Sequence, residues 1–363
     1  MTAIYGLISD IHEDSKIIEP ALHVLKRLGA EKLIVNGDIG GRMQGNTLEE
    51  AIQNSQNYTT FILEQIARSG LEAYVQPGSH ETLLGYEPVI EYFSAQYSNI
   101  INTLTHRKVE RNNHDLVFLP GSDFLCGGEY PIGNSDKIPS GKFILTSHGL
   151  IRFNILDQYI NALNRGIAKG VMHYFNMRDL RTLVSNPEKT VTICHVPRKF
   201  DNLNCVDVAH FFESREYILG KKEYDIIGIY PKTAFNPEIA YRGNTLIYFL
   251  GTLNDDIESQ VKIDMWIKGT DKLRVLVEQK SNRGNSDLKE LYSQLGIRKA
   301  ISGHFHESSH KAHDSEGNEV NQGELVNELF WNSGHLDNGL CGLLYVDGVR
   351  VSYQNIDLKD YIK

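Results

Sequence analysis

The segment IYGLISDIH, residues 4–12, decides the architecture of the chain. Its apolar part, residues 4–8, predicts a buried strand, and Ser9-Asp10-Ile11-His12 follows where that strand ends. In open α/β sheets, the loops that leave the strand ends converge on a crevice that binds ligands. We therefore expect Asp10 and His12 to lie in such a crevice.

Four other polar runs stand in the same relation to the predicted strands, far along the chain. Each follows a segment with a strand pattern, and the runs are Asn36-Gly37-Asp38, Gly78-Ser79-His80-Glu81, His195 and Gly303-His304-Phe305-His306. The shared position predicts that all of them meet Asp10 and His12 at one site.

Aspartate and histidine are the chemically informative members of these runs. Carboxylate oxygens with imidazole nitrogens suit borderline divalent ions such as Mn, Fe, Co, Ni or Zn. The spacing of Asp10 to His12, and of His304 to His306, allows both members of each pair to point at one place. Asp38 has two oxygens and can bridge two ions about 3.5–4 Å apart, the separation that clamps the attacking and leaving oxygens of a displacement. Water held by such ions is hydroxide near neutral pH, which favours a phosphate ester as substrate.

Composition restricts the class of protein. The chain has 363 residues, of which 41% are hydrophobic, enough for one elaborated domain or two small ones. No apolar run reaches the length of a membrane span, and the first residues show no targeting pattern. Four cysteines without CxxC spacing indicate reduced thiols and predict a cytoplasmic protein. The net charge of −9 offers no general attraction for nucleic acid or anionic lipid.

Helix signals alternate with the strands, which predicts an α/β fold. A first helix is expected to start at Asp14 or Ser15 and to end before Gly29. A second helix is expected to start at Thr47, where Glu50 completes a capping box, and to bury Ile52, Phe61, Ile62 and Ile66.

Later segments continue the alternation. Pro88 is expected in the first turn of a third helix, and helical patterns cover roughly residues 155–184. Strands are predicted at residues 116–119 and 143–145, a helix at 286–295 and a closing hairpin at 343–351.

Residues 198–284 differ from the rest of the chain. Candidate metal ligands are absent there, and the pattern changes to mixed strands, including 245–250 and 261–267. We expect residues 1–197 and 285–363 to form the core. Residues 198–284 would be an α+β insertion that caps the site or contacts a substrate or partner.

The order of the motifs, Asp-x-His, Gly-Asp, Gly-x-His-Glu, His and Gly-His-x-His, is similar to that of the calcineurin-like metallophosphoesterase superfamily. The resemblance spans nearly the whole chain apart from the insertion, and Asn332-Ser333-Gly334 resembles a loop that the superfamily carries after its last histidines. It implies a four-layer α/β/β/α sandwich with a dinuclear centre of two divalent metal ions.

The resemblance also implies a role for each residue. One metal would be held by Asp10, His12, Asp38 and His306. The second would be held by Asp38, Ser79, His195 and His304. His80 would be a non-ligand imidazole that stabilises or protonates the leaving oxygen, a general-acid role that its titration range suits.

Ser79 departs from the superfamily pattern, which has Asn at this position. A neutral serine hydroxyl is a weaker donor than an amide oxygen, so we expect a more weakly held second metal. Two classes of function follow: a hydrolase in which metal-held hydroxide attacks a phosphomonoester or phosphodiester directly, and a metal-bearing scaffold without turnover. A nuclease of the same superfamily is a further alternative, which the acidic composition and the lack of an obvious basic groove disfavour.

Two positions keep alternative interpretations. Arg198, three residues after His195, would either hold a substrate phosphate or be a solvated surface residue. His148 also follows an apolar strand and competes with His195. We prefer His195 because Cys194-His195-Val196-Pro197 better resembles the isolated-histidine motif, which leaves His148 as a supporting or core residue. Proximity to motifs alone makes candidates of Asn36, His310 and His335.

Overall fold

The computed structural model describes residues 2–12, 14–40, 44–123, 128–202, 205, 208–218, 224–231 and 272–362. The chain divides into two compact units. The core unit comprises Met1–Asp207 and Gly284–Lys363, and the inserted unit comprises Val208–Arg283. No helix in the described ranges is both long and apolar enough to cross a membrane.

Six α-helices occur in the described part of the chain: α1 (Ile18–Arg27), α2 (Leu48–Ser69), α3 (Leu83–Gln96), α4 (Leu156–Asn164), α5 (Leu180–Leu183) and α6 (Ser286–Leu295). The strands of the core unit before the insertion are β1 (Ala3–Ile8), β2 (Lys32–Asn36), β3 (Glu72–Gln76), β4 (Ile100–Asn102), β5 (Lys108–Glu110), β6 (Asp115–Leu119), β7 (Ser122–Asp123), β8 (Pro131–Gly133), β9 (Gly141–Thr146), β10 (Gly149–Phe153), β11 (Gly170–Asn176) and β12 (Thr190–Cys194). The inserted unit contains β13 (Val208–Ile218), β14 (Tyr224–Pro231) and β15 (Lys272–Asn282). The core unit then continues with β16 (Lys299–Ser302), β17 (Ala312–His313), β18 (Leu329–Asn332), β19 (Leu340–Asp347) and β20 (Arg350–Asp357).

Two six-stranded sheets organise the core unit. The first has the order β20-β19-β1-β2-β3-β4, and the second has the order β17-β18-β16-β12-β6-β5. Strands β1 to β4 pair in parallel, as do β6, β12, β16 and β18. Parallel pairing places the carboxyl ends of these strands at one edge of each sheet, which is where the polar motifs follow.

The two sheets share one apolar cluster. Leu7 and Ile34 of the first sheet and Ile193 and Trp331 of the second all belong to it. Alternate residues, such as Ile8 and Cys194, belong instead to the cluster that includes the apolar faces of the helices. Each sheet is therefore covered on both faces, which explains why its strands read as nearly continuous apolar runs.

The predicted N-cap of α2 at Thr47 and its end before Gly70 are confirmed, but the Glu50 side chain accepts from the Asn46 N–H, at 2.8 Å, and not from the Thr47 N–H that a capping box requires. The Thr47 hydroxyl accepts a hydrogen bond from the Glu50 N–H at 3.1 Å, and Gly70 ends the helix in the left-handed conformation. The expected burial of Phe61 is wrong, because this ring is 45% exposed. Residues such as Thr59 and Leu63 form the buried face, and Phe61 lies two residues from each, about 200° around the helix.

The expected place of Pro88 is also wrong. Helix α3 starts earlier, at Leu83, because the Thr82 hydroxyl accepts a hydrogen bond from the Gly85 N–H at 3.2 Å. Pro88 therefore lies inside the helix, where it cannot donate a hydrogen bond to the Leu84 carbonyl. The side chain of Gln56 donates to that carbonyl instead, at 2.7 Å, and this replaces the missing bond.

The continuous helical pattern expected over residues 155–184 is broken by β11. The residues Val171-Met172-His173-Tyr174-Phe175 are rich in β-branched and aromatic side chains. They pair with β9 through Tyr174 and with β8 from Phe175 onwards, in a five-stranded sheet of order β10-β9-β11-β8-β7. In the same sheet, His148 lies in the exposed turn between β9 and β10. His148 is therefore not a core residue, and it belongs to none of the groups of candidate metal ligands in the described part of the chain.

The described part of the inserted unit is a three-stranded antiparallel sheet of order β14-β13-β15. The strands predicted at 245–250 and 261–267 lie outside the described residues. Of the four cysteines, Cys194, Cys205 and Cys341 are buried free thiols, and Cys126 lies outside the described residues.

Candidate metal centre

The polar motifs meet where the strands of the core unit end, and their backbone is held in an unusual conformation. Asp10, His12, Asp38 and His304 have φ angles of +53°, +49°, +50° and +71°. Such angles cost a residue other than glycine of order 1–3 kcal/mol, so the surrounding structure must hold them in place. Backbone hydrogen bonds provide part of that support, because the N–H groups of Ile11 and His12 both donate to the Asp38 carbonyl, at 2.8 and 3.0 Å.

Glycine at position 303 allows the last motif to approach the first. A Cβ atom there would overlap the Ser9 hydroxyl and the Oδ2 of Asp10. The space is needed because the His304 N–H donates to Asp10 Oδ2 at 3.1 Å. The two motifs are thereby joined through backbone and carboxylate.

The two oxygens of Asp10 have different surroundings. Oδ2 accepts hydrogen bonds from the Ser9 hydroxyl at 2.5 Å and from the His304 N–H. Oδ1 is buried and has no hydrogen-bond partner among the described residues. It faces the Nε2 atoms of three imidazoles, those of His12 at 3.9 Å, His195 at 3.8 Å and His306 at 3.7 Å.

His12 and His306 turn the same nitrogen towards each other. Their Nε2 atoms are 3.2 Å apart, and both lie near Asp10 Oδ1. Two ligands that are each about 2.1 Å from one ion stand about 3 to 4.2 Å apart, depending on the angle between them. The separations among Asp10, His12 and His306 fall in this range.

Asp38 is the most heavily engaged carboxylate. Its Oδ1 accepts from the N–H groups of Ser79 and His80 at 2.5 and 2.9 Å, and its Oδ2 accepts from the Ser79 hydroxyl at 2.9 Å. The Nε2 of His195 lies 3.1 Å from the same Oδ2. Burial alone would raise the pKa of Asp38, but the neighbouring imidazoles, His195 first, hold it well below its usual value.

His195 is fully buried and fixed by a backbone carbonyl. Its Nδ1 donates to the carbonyl of Asn36 at 2.7 Å, which turns Nε2 towards Asp38 and Asp10. Burial lowers the pKa of His195, but the two carboxylates outweigh it and raise the pKa to about 10. A cation held by the same two carboxylates would take the place of this proton, and His195 would then be the neutral imidazole that a metal requires.

His304 is the second imidazole on this side. Its ring lies edge-on to that of His195, with centroids 5.0 Å apart. Burial and the adjacent positive charge of His195 lower the pKa of His304 to about 4, so its ring is neutral and can donate a nitrogen lone pair.

Among the described residues, four groups of side chains have ligand atoms that all lie within 4.8 Å of one another: Asp10, His12 and His306; His12, Asp38 and His80; Asp38, His195 and His304; and His306, His335 and Asp337. Neutral imidazoles and ionised carboxylates are a donor set for divalent transition metals. The unpartnered oxygen of Asp10 fits the same purpose, since a buried carboxylate oxygen without a partner is costly. The residues present therefore fit bound divalent ions.

Neither a protein-family model nor a curated protein sequence matches the chain. Among solved structures, the chain is similar to TT1561 of Thermus thermophilus, at 8% identity, with a TM-score of 0.46 over 98% of this chain and 99% of that one. It is also similar to a dimetal phosphatase from Danio rerio, at 10% identity, with a TM-score of 0.41 over 98% and 99% of the two chains. Both TM-scores lie below 0.5, so no residue role is taken from these two proteins.

His80 and Ser79 both lie at this site. The centroid of the His80 ring is 4.5 Å from that of the His12 ring. The backbone N–H of His80 donates a hydrogen bond to Asp38 Oδ1. Ser79 is buried, and its hydroxyl donates to Asp38 Oδ2. Ser79 therefore supports the carboxylate that stands at the middle of the cluster.

Arg198 has other neighbours. Its guanidinium lies over the rings of Phe200 and Phe330, at 4.3 and 4.6 Å from their centroids, and donates to the Ser315 carbonyl at 3.1 Å. The residue is 8% exposed, so it is not a solvated surface arginine. Among the described contacts of Arg198, none is with a predicted metal ligand. Its burial against aromatic rings indicates a packing role.

The sequence pattern indicated no role for Glu81, the last residue of the motif Gly78-Ser79-His80-Glu81. Oε1 accepts from the N–H groups of Ile39 and Gly40 at 2.6 and 3.0 Å, and Oε2 accepts from the Gly78 N–H at 2.6 Å. Burial and the nearby Asp38 raise the pKa of Glu81 to about 7, against the effect of these hydrogen bonds. Glu81 joins the loops after β2 and β3, and only the fold shows that these loops are adjacent.

The loop after β18 brings two more side chains to the site. His335 stacks on His306, with centroids 4.1 Å apart and an interplanar angle of 14°. Asp337 Oδ2 lies 3.9 Å from His12 Nε2. Sequence reasoning noted His335 only for its proximity to a motif and did not consider Asp337. An aspartate two residues after a histidine, beyond a predicted strand, was the available signal.

Proposed function

We propose that this protein is a metal-dependent phosphoesterase with a dinuclear centre. The observation that carries the proposal is the buried, unpartnered Oδ1 of Asp10, which faces three imidazole Nε2 atoms at 3.7–3.9 Å. No described lysine or arginine is paired with this oxygen, and a cation held by the same atoms would satisfy it. The substrate class is a phosphomonoester or phosphodiester.

The ligands divide into two sets that share Asp38. One ion would be held by Asp10, His12, Asp38 and His306. The other would be held by Asp38, Ser79, His195 and His304. Two groups of ligand atoms within 4.8 Å of one another support this division: Asp10 with His12 and His306, and Asp38 with His195 and His304. Asp38 also lies within this distance of His12, as a shared ligand requires.

Bound divalent ions supply Lewis acidity towards phosphoryl oxygens and towards water. Asp38 is kept in place by the N–H groups of Ser79 and His80. The bond from His80 is made by its backbone, and its ring lies beside the ring of His12. We assign this ring the role of stabilising or protonating the leaving oxygen, for which imidazole is suited near neutral pH.

The architecture we propose for the core unit is a four-layer α/β/β/α sandwich. It is supported by the apolar cluster that the two six-stranded sheets share and by the second cluster, which includes the helices. We further propose that the inserted unit, Val208–Arg283, which makes up most of the expected 198–284 insertion, serves substrate or partner recognition, since every proposed ligand belongs to the core unit.

The test is metal-dependent hydrolysis of a chromogenic phosphomonoester and a chromogenic phosphodiester. The wild-type protein loaded with Mn²⁺ should hydrolyse at least one of them. Asp38→Asn should lower turnover about 100-fold or more, because a shared ligand is removed and even outer neighbours of a metal change activity 10- to 100-fold. Asp115→Asn, at the start of β6, is the matched control and should retain wild-type turnover.

Hydrolysis by the wild-type protein at the level of Asp38→Asn, after metal loading has been verified, contradicts the phosphoesterase proposal. That result favours a metal-binding scaffold. The hydrogen bond from the Ser79 hydroxyl to Asp38 supports this alternative. A nuclease is disfavoured by the net charge of −9, and cleavage of DNA that weakens steeply with salt would reverse this judgement.

A further inference from the structure

The loop after β18 is fixed against the first motif independently of any side-chain ligand. The Leu336 N–H donates to the Ser9 carbonyl at 2.8 Å, and the Asp337 N–H donates to the Asp10 carbonyl at 3.1 Å. Residues Leu336–Asn338 form a short 3-10 helix that ends at Gly339 with a φ of +80°. The backbone of Asp337 is thereby held next to the backbone of a proposed metal ligand.

The carboxylate of Asp337 points towards the same group of atoms. Its Oδ2 lies 3.9 Å from the Nε2 of His12, which is itself 3.2 Å from the Nε2 of His306. Ligand atoms of Asp337 and His306 lie within 4.8 Å of each other. These separations are close to those of ligands that share one ion, about 3 to 4.2 Å.

Asp337 has no cationic partner apart from imidazoles in the described part of the chain. Its Oδ1 is buried without a hydrogen-bond partner. Its Oδ2 lies at ion-pair distance from the Nε2 of His12. Asp10 Oδ1, on a residue that is 1% exposed, is likewise unpartnered and is aimed at the same imidazoles. One pair of imidazole nitrogens thus lies close to the unpartnered Oδ1 of Asp10 and to the Oδ2 of Asp337, an arrangement of donor atoms that a cation between them would satisfy.

His335 is a less suitable ligand than Asp337, although it lies closer to His306. Its Nδ1 is hydrogen-bonded to the Ser309 hydroxyl, and its Nε2 accepts from the Asn338 side chain at 2.5 Å. Both ring nitrogens are therefore occupied. The stacked ring of His335 instead restricts the orientation of His306.

We propose that Asp337 is an additional carboxylate ligand of the ion held by Asp10, His12 and His306. This inference rests on the proposed function for the presence of that ion, and it adds a residue outside the motifs that define the site. A further carboxylate makes this position richer in oxygen than the one at His195 and His304. It should therefore favour harder ions such as Mn²⁺ over Zn²⁺.

The test is the binding of metal to Asp337→Asn, read without any assay of activity. Titration of the metal-free protein with Co²⁺, followed by visible absorption and by competition with a chelator, should show about tenfold or greater weakening of one of two binding events. The absorption bands of that ion should also change, because its ligand set has changed. Glu307→Gln, which removes an exposed charge next to His306 in sequence, should leave both events unaltered.

Thermal melting separates a ligand from a structural residue. Without metal, Asp337→Asn should melt at or above the wild-type temperature, because the negative charge beside Asp10 is removed and Oδ1 of Asp337 is buried without a hydrogen-bond partner. With metal, its gain in melting temperature should be smaller than that of the wild type. If Asp337→Asn does not fold, Asp337→Glu retains the charge but changes its reach, and it should show an altered Co²⁺ spectrum.

Unchanged affinity and spectrum in the Asp337 variants overturn this inference and leave the proposed function in place. A wild-type protein that binds ions but hydrolyses no ester contradicts the proposed function, while the role of Asp337 is still decided by the spectrum. A wild-type protein that binds no Co²⁺ overturns both.

Discussion

Asp10 shows how one carboxylate serves both structure and chemistry. Its Oδ2 accepts a hydrogen bond from the Ser9 hydroxyl and one from the His304 N–H, which joins the first and last motifs, and its Oδ1 is left unpartnered among imidazoles. Burial raises the pKa of Asp10, but His195 and His306 outweigh it and lower the pKa to about 2. The group is therefore a carboxylate throughout the physiological range, as a metal ligand requires.

Ser79 gives the first prediction at the scale of the residue. Ser79→Asn introduces a carbonyl oxygen with longer reach, so the ion at His195 and His304 should bind more tightly and phosphodiester turnover should rise several-fold. Metal stoichiometry and turnover measure the two effects. Ser79→Ala is the companion variant, and it should weaken that ion because it removes the hydroxyl that supports Asp38.

Equal affinity for the second ion in the wild-type protein, Ser79→Asn and Ser79→Ala would show that position 79 does not affect the metal. The weak-donor explanation would then be abandoned, and Ser79 would be only a turn residue.

At the scale of the element, strand ends and glycines determine the site. Strands β1 and β2 deliver Asp10 and Asp38, and their loops are joined by the hydrogen bonds of Ile11 and His12 to the Asp38 carbonyl. Glu81 links the loop after β2 to the loop after β3. The site depends on backbone contacts between loops as much as on the ligands themselves.

Gly303→Ala tests this dependence. The added Cβ would overlap Ser9 and Asp10, so the loop that carries His304 must move away and metal affinity should fall about tenfold or more. Gly170→Ala, in β11, is the matched control because its nearest neighbour is Leu145 at 4.0 Å. Chelator competition measures the affinity of both variants.

Gly303→Ala with wild-type affinity would mean that the contact between His304 and Asp10 is not needed to hold the ions. Loss of affinity in Gly170→Ala would instead point to a general effect of alanine on folding.

At the scale of the whole molecule, the buried pair of Tyr5 and His114 links stability to pH. The Tyr5 hydroxyl and His114 Nε2 are 2.7 Å apart, and His114 is 2% exposed. Burial first, then the charges of Arg111 and Lys32, lower the pKa of His114 to about 4. The unfolded chain, with an ordinary imidazole pKa of about 6.5, takes up a proton at higher pH than the folded protein does.

His114 should therefore reduce the free energy of unfolding as pH falls from about 6.5 to about 4, and its contribution should be constant above pH 6.5. One proton gives a slope of at most about 1.4 kcal/mol per pH unit. Urea denaturation at pH 7.5 and pH 5 should show a smaller loss for His114→Gln than for the wild type. His148→Gln, at an exposed turn, should show the wild-type loss. An equal loss in all three proteins contradicts the prediction.

The sequence by itself determined the buried strands that precede the motifs, the two ends of α2 and the motifs themselves. Apolar runs such as residues 4–8 form buried strands wherever they stand, and Thr47 and Gly70 specify helix ends through local hydrogen bonds. Such features depend on neighbours within a few residues. They can therefore be read without knowing the fold.

Only the tertiary structure decided which side chains outside the motifs reach the site and which neighbours of the motifs do not. Arg198 follows a motif but packs on Phe200 and Phe330, whereas Asp337, outside the motifs, lies beside His12. His12 and His306 are 294 positions apart, and strand order alone brings their nitrogens to 3.2 Å. Proximity between distant residues depends on how strands pair and loops cross, and residue spacing in the sequence does not contain that information.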